Sequence, residues 1–240
     1  MPSRMKVTPH LSCGDCPIRY RAVCSKCDQD ELELLERIKS YRSYRSGETI
    51  AWAGERMEVF GSIVIGAAAL SDTLEDGRRQ MVGLVMPSDF IGRPGRETSP
   101  FDVTAVSDTM ICQFRRSEFE KLLETHPHIS KRLLEMTMDE LDAAREWMTV
   151  LGRKTAREKL ASLFYNLAMR QVSLTSRAAG TVRFALPITR EAIGDYLGLT
   201  IETVSRQLTA MRKDGVVQIE GLRNVTVPDL EKLRDEAGTG

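Results

Sequence analysis

At 240 residues, with 34 basic and 34 acidic side chains and an apolar fraction of 42%, the chain is long enough for two compact domains and has the composition of a globular protein. Zero net charge excludes a nucleic-acid surface spread over the whole molecule, so any such surface must be local. Met1 to Leu11 carries no apolar leader core, and no run approaches the roughly 18 apolar residues of a membrane span, so the expectation is a cytoplasmic protein without a membrane partner.

Four of the five cysteines fall in the run Cys13-Gly-Asp-Cys16-Pro-Ile-Arg-Tyr-Arg-Ala-Val-Cys24-Ser-Lys-Cys27. This spacing lets several thiolates from one short segment converge on a common centre. In a reducing compartment, and with an odd total, such a cluster points to metal or redox sensing rather than a disulfide framework. An iron–sulfur cluster, structural zinc on Cys13, Cys16, Cys24 and Cys27, a disulfide pair and free thiols all remain open on spacing alone.

Asp30 to Lys39 then reads as a short amphipathic helix, with Leu32, Leu35 and Ile38 at helical spacing. From Tyr41 to Phe114 the texture changes to short β-like runs between glycine turns: Thr49 to Trp52, Val59 to Ile65, Ala67 to Leu74, Gln80 to Val85, Asp89 to Gly92, Phe101 to Ala105 and Thr109 to Phe114. Many short strands at this spacing predict an antiparallel β-roll. The pattern turns helical at Ser117, and after His126-Pro127 one long helix runs to about Leu151. Its positions Ile129, Leu133, Met136, Leu141, Ala144, Met148 and Leu151 lie close enough to a heptad to seam against a partner helix. Glu140 and Asp142 flank that seam and would face their twins in a symmetric parallel homodimer, making it weak and adjustable.

A second domain begins at Gly152. The spacing predicts a helix over Ala156 to Arg170, turns over Thr175 to Gly180 and a strand over Val182 to Leu186. Thr189 is a plausible N-cap for a helix from Arg190 to Leu197. Gly198-Leu199-Thr200 forms a tight turn, and Ile201 to Lys213 a second helix. That is a helix-turn-helix, followed by a wing hairpin over Val216 to Glu220 and Val225 to Val227. The expected fold class is therefore α+β: an N-terminal antiparallel β-roll, a long dimerisation helix and a C-terminal winged helix-turn-helix. The expected boundaries are 1–28 for the cysteine-rich segment, 29–116 for the roll, 117–151 for the helix and 152–240 for the winged domain.

Between Arg153 and Val227 twelve Lys or Arg stand against six Asp or Glu, so the neutral whole conceals a basic domain suited to double-stranded DNA. Glu202, Ser205 and Arg206 share one face of the second helix, where a recognition helix meets base edges. Arg206 can grip guanine O6 and N7, and Glu202 can accept from cytosine N4. Thr189, Thr200 and Thr203 are the candidates for phosphate-backbone contacts. No set of nucleophile, base and oxyanion donors emerges, and the chain does not read as an enzyme.

In these residues the chain resembles the cyclic-AMP receptor protein and FNR superfamily of transcription factors, most nearly its fumarate and nitrate reduction regulator branch. The resemblance rests on Gly194-Asp195-Tyr196-Leu197-Gly198-Leu199-Thr200, on Glu202-Thr203-Val204-Ser205-Arg206 and on Asp89-Phe90-Ile91-Gly92. It implies an oxygen-labile [4Fe-4S] cluster on Cys13, Cys16, Cys24 and Cys112, with Cys27 the alternative third ligand and zinc the alternative metal. It also implies half-sites like TTGAT and ATCAA, and activation through contacts with RNA polymerase that include the hairpin Thr73 to Arg79. Because Cys112 lies on the strand expected to lead into the long helix, cluster assembly would reposition that helix and favour the homodimer. The resemblance makes cyclic AMP an unlikely ligand, since Gly92 is followed by Arg93, and Phe101 to Ala105 offers an acid where nucleotide-binding relatives place an arginine.

Overall fold

The computed structural model describes residues 11–77, 79–175, 180–221 and 223–238. The expected turns over 175–180 fall mostly outside these residues, as do Arg78 of the roll hairpin and Leu222 of the wing turn. Two compact units emerge, one running to Asp72 and resuming over Gly83–Glu140, the other comprising Thr73–Val82 and Leu141–Gly240.

In the first unit, Asp28 and Glu31 form a capping box that starts helix α1 (Gln29–Ile38). Helix α1 passes without a loop into strand β1 (Lys39–Tyr44), which the sequence pattern does not announce. Seven further strands follow among the described residues: β2 (Thr49–Ala51), β3 (Val59–Ile65), β4 (Ala68–Thr73), β5 (Arg79–Val85), which belongs to this unit only from Gly83, β6 (Phe90–Ile91), β7 (Asp102–Ala105) and β8 (Thr109–Arg115). They build two four-stranded sheets, in the orders β1-β8-β3-β6 and β2-β7-β4-β5. Strand β8 is flanked on both sides, so Cys112 faces Tyr41 on β1 and Ser62 on β3. Its phase is fixed at its first residue. The buried Thr109 hydroxyl donates to the carbonyls of Ala67 (2.9 Å) and Ser107 (2.8 Å).

Phe60, Ile63, Val103, Met110 and Ile111 supply the roll side of the core. Ile18, Val23, Leu35, Phe119, Leu122 and Ile129 close it from the cysteine segment and the helices. Phe119 stacks on Phe90 and on Phe114, each at a centroid distance of 5.3 Å.

Strand β8 does not enter the long helix. It leads into helix α2 (Arg116–Thr125), and only after His126 does α3 (Pro127–Arg153) begin, with proline at the first helical position, where its missing N–H costs nothing. The expected direct link from Cys112 to the long helix is thus interrupted by ten helical residues. The apolar residues of α3 divide between two faces. Ile129 is only 1% exposed, and Leu133 and Met136 pack against the same core. Leu141, Ala144 and Met148 are exposed, while Leu151 is half-buried. The open stripe also includes Leu134 and Met138, which the sequence reading passed over. Leu134, Met138, Leu141 and Met148 follow steps of four, three and seven. The exposed heptad face is theirs, and Ile129 is consumed inside its own chain.

In the second unit, helix α4 (Ala156–Thr175) runs five residues beyond its expected end and buries Leu160, Leu163, Phe164 and Leu167. Strand β9 (Val182–Ala185), helices α5 (Arg190–Leu197) and α6 (Ile201–Lys213), strands β10 (Gln218–Glu220) and β11 (Asn224–Val227) and helix α7 (Leu230–Glu236) follow. The three strands pair in the order β10-β11-β9. Helix α7 was not expected. Arg157 fastens it, donating from Nε and Nη2 to the Glu236 carboxylate (2.6 and 3.0 Å) and from Nη1 to Asp214 (2.7 Å). Among the described residues, no helix is long and apolar enough to cross a membrane.

Candidate metal centre and nucleic-acid interface

Ile18, Ala22 and Val23 are buried and pin the cysteine segment to the roll, leaving Cys13, Cys16 and Cys24 half-buried at the edge of the core. Arg19 holds the middle of the segment. Its guanidinium donates to the carbonyls of Cys24 (2.6 Å) and Cys27 (2.9 Å), bridging the 3-10 turn Val23–Lys26. At the other end the Cys13 N–H donates to Glu36 (2.6 Å), which also receives Lys39 Nζ (2.8 Å). Lys39 Nζ donates to the Leu11 carbonyl as well (2.5 Å). Sequence reasoning missed Lys39, whose side chain is only 6% exposed. Its spacing of three from Glu36 on a helix end was the available signal.

Cys112 is held as firmly as the segment. Gly61 lies against it on β3, and a Cβ there would fall onto the Cys112 carbonyl. Directly opposite Cys112, Ser62 is 3% exposed, and its hydroxyl has no partner among the described residues. Cross-strand partners share a face of the sheet, so this hydroxyl is an unused donor beside the thiol.

Burial favours the protonated form of Cys13, Cys24, Cys27 and Cys112. Burial pushes Cys112 up, and the neighbouring Cys16, Cys13 and Cys24 push it further, against the pull of Lys39. Burial also pushes Cys13 up to about 11, aided by its hydrogen bond with Glu36 and opposed by Lys39. Cys24 rises through burial and the proximity of Cys16, opposed by Arg19. Cys27 rises to about 12 by burial first, then through Cys24 and the carboxylates of Glu31 and Asp28. Lys39 stays charged: burial opposes its ammonium but is outweighed by Glu36, Cys13 and Tyr41. Cys112 and Cys27 thus share one apolar core, Cys112 with Cys16, Cys13 and Cys24 for neighbours and Cys27 with Cys24, Glu31 and Asp28.

Among the described residues, no three His, Cys, Asp or Glu side chains converge closely enough to hold a single metal ion. A cluster several ångström across needs its thiolates farther apart than one ion does. Four soft thiol donors, a buried cation and an unpartnered hydroxyl fit such a group, because a cationic core would offset the cost of burying thiolates close together.

In the second unit the helix-turn-helix is set by three local devices. The Thr189 hydroxyl accepts from Ala192 N–H (3.2 Å) and caps α5. Gly198 ends α5 at φ +62°, a left-handed conformation that glycine adopts without a Cβ penalty. The Thr200 hydroxyl accepts from Thr203 N–H (3.3 Å), capping α6, and donates to Thr203 Oγ1 (3.2 Å). A fourth device escaped the sequence reading: a Cβ at Gly194 would stand 2.6 Å from the Leu199 carbonyl, so glycine is what lets the turn fold back on α5. Val204, Leu208 and Met211 face the core of α6, leaving Glu202 and Arg206 exposed and Ser205 half-buried in its first half. Tyr196 of α5 stacks on Trp147 (4.7 Å, 20°), and Gln80 donates to the Asp195 carbonyl (2.7 Å).

A family model described as a Crp-like helix-turn-helix domain matches residues 158–236, and one described as a cyclic nucleotide-binding domain matches residues 41–126. Over 94% of its length the chain is 58% identical to the transcriptional activator protein FnrL of Cereibacter sphaeroides, covering 92% of that protein. It is 27% identical to the fumarate and nitrate reduction regulatory protein of Escherichia coli, over 95% of this chain and 91% of that one. Among solved structures, FixK2 from Bradyrhizobium japonicum superposes with a TM-score of 0.75 at 32% identity, covering 85% of this chain and 99% of that one.

Proposed function

Since the chain belongs to the CRP/FNR family of DNA-binding transcriptional regulators, we propose that it is an oxygen-responsive activator carrying a [4Fe-4S] cluster on Cys13, Cys16, Cys24 and Cys112. One observation supports this reading: Cys13, Cys16 and Cys24 pack half-buried at the edge of the same core that holds Cys112 of β8, while Cys27 is buried within it. When bound, the cluster supplies a compact anionic centre that oxygen can dismantle. The protein's part is to hold that centre. On loading, each ligand thiol would release its proton to solvent, Lys39 and Arg19 would offset the resulting charge, and Ser62 would offer a hydrogen bond beside Cys112. The segment is thereby tied to a strand far away in sequence.

The ordered segment would favour a homodimer through Leu134, Met138, Leu141 and Met148 of α3, which are apolar and open in the single chain. In such a dimer two α6 helices read successive major grooves of a palindrome. Arg206, Glu202 and Ser205 meet base edges, and Thr189, Thr200 and Thr203 meet the backbone. Thr73 to Arg79 is the hairpin available to RNA polymerase. Cyclic AMP is disfavoured as the ligand, since Arg93 follows Gly92 and Asp102, which accepts from the Ala53 N–H (2.9 Å), puts an acid where the phosphate would sit.

The test is anaerobic reconstitution with iron and sulfide, followed by titration of a duplex carrying TTGAT and ATCAA half-sites before and after exposure to air. Visible iron–sulfur absorption and a loss of affinity in air are expected. Absence of the absorption, or affinity indifferent to air, overturns the reading.

A further inference from the structure

Strand β8 reaches α3 only through α2, so the state of the cysteine segment needs another way to reach the long helix. Two side chains one helical turn apart on α3 supply it. Arg132 Nη2 donates to the Arg21 carbonyl (2.8 Å), between Cys16 and Cys24. His128 Nε2 lies 2.9 Å from Glu31 Oε2, and His126 Nε2 lies 3.9 Å from Glu31 Oε1. Glu31 is no incidental partner. It is 7% exposed, and the same Oε2 accepts from the Asp28 N–H (2.9 Å), completing the capping box immediately after Cys27. Arg132 is also committed: its Nη1 lies 3.6 Å from Glu135, and its buried Nε has no partner among the described residues.

We propose that His128 and Arg132 are positioning residues that grip the cysteine segment at two points and pass its state to α3. The proposal rests on the cluster reading above. Positions four apart share one helix face, and here that face meets the segment on either side of Cys24 and Cys27. With the thiols ligated, the Arg21 carbonyl and the Glu31 carboxylate become fixed points, and the first two turns of α3 are held against them. With the thiols free, the segment is held by Ile18, Ala22 and Val23 and by the hydrogen bonds at Leu11 and Cys13, without the tie to Cys112, and the grip moves with it. Side chains on the same turns, Ile129 and Leu133, face the core, so a change in the grip turns or tilts the helix that carries the open stripe.

The experiment compares Arg132→Gln, Arg132→Lys and His128→Ala with the unaltered protein, each measured metal-free and after anaerobic loading. Visible absorption reports loading, and sedimentation equilibrium reports dimerisation. Arg132→Gln and His128→Ala are expected to load normally, while the ratio of loaded to metal-free dimer affinity falls about fivefold for each, as for the loss of one polar contact of ordinary strength. Arg132→Lys keeps a donor within reach of Arg21 and restores most of the ratio. A purely structural role would weaken both states alike and leave the ratio unchanged. An unchanged ratio in Arg132→Gln, or no rescue by lysine, overturns the proposal. Backbone amide exchange over Arg19 to Cys27 in metal-free Arg132→Gln is expected to quicken, and unchanged exchange counts against the grip even if the variant dimerises poorly. Failure of the unaltered protein to load would instead overturn the cluster reading itself.

Discussion

Two buried cysteines of similar exposure, Cys27 at 6% and Cys112 at 9%, belong to the same core, and replacing each by alanine separates packing from ligation. Each change removes one buried sulfur, so the metal-free variants should lose about 1 kcal/mol apiece. For a chain of this size that is about 2–4 °C in Tm. Loading then distinguishes them. A group present at about a hundredfold over its Kd stabilises the folded state by about 2.7 kcal/mol, so the unaltered protein and Cys27→Ala should both gain several degrees on anaerobic reconstitution. Cys112→Ala should gain nothing and show no visible absorption, because one of its four thiolates is gone. The assay is paired thermal denaturation with iron, sulfide and zinc counts on protein handled without oxygen. If Cys112→Ala retains its metal while Cys27→Ala loses it, the centre is the local four-cysteine site, and Cys112 is not a ligand.

Gly194→Ala is expected to cost about 1–3 kcal/mol by driving Cβ into the Leu199 carbonyl and to abolish duplex binding, as read by fluorescence anisotropy beside circular dichroism. Met138→Glu, on the open stripe of α3, should eliminate the dimer in sedimentation with little change in the stability of the single chain. Ile129→Ala should do the opposite, costing about 2–5 kcal/mol because that side chain is buried. The Arg157 hydrogen bonds hold the Glu236 carboxyl below its ordinary 4.5. Its contribution to stability is therefore present above pH 4.5 and lost as pH falls through the folded value, where the unfolded chain has already taken up the proton. Glu236→Gln should cost about 1 kcal/mol at pH 7, with the gap from the unaltered protein closing in acid denaturation scans.

The helix-turn-helix was legible because its signals are local: caps at Thr189 and Thr200, a left-handed glycine at 198, and apolar spacing around them. Strand β1 was not legible, since in Lys39–Tyr44 only Tyr41 and Tyr44 carry a β signal and no turn residue separates the strand from the helix before it. Yet β1 is what brings Tyr41 beside Cys112. The seam of α3 was misread for a different reason. Periodicity shows that a helix has apolar stripes but cannot say which one its own domain consumes. Ile129 closes the core beneath Phe119 and Leu122, and that depends on α2 folding back, a tertiary fact. Lys39 and the pairing of Arg132 with Arg21 join residues far apart in sequence, so no local pattern encodes them.

The hydroxyl lock at Thr109 gives β8 a fixed phase, and that has a consequence for how this chain can change over time. Side chains alternate between the faces of a strand, so the gain or loss of a single residue between Thr109 and Cys112 would carry the thiol to the opposite face of its sheet, away from the segment it answers to. Substitutions around the site can be graded, but an indel there is all or nothing. A lineage that abandons this kind of sensing has a one-step exit at Met110 or Ile111, and a way back only by restoring the count.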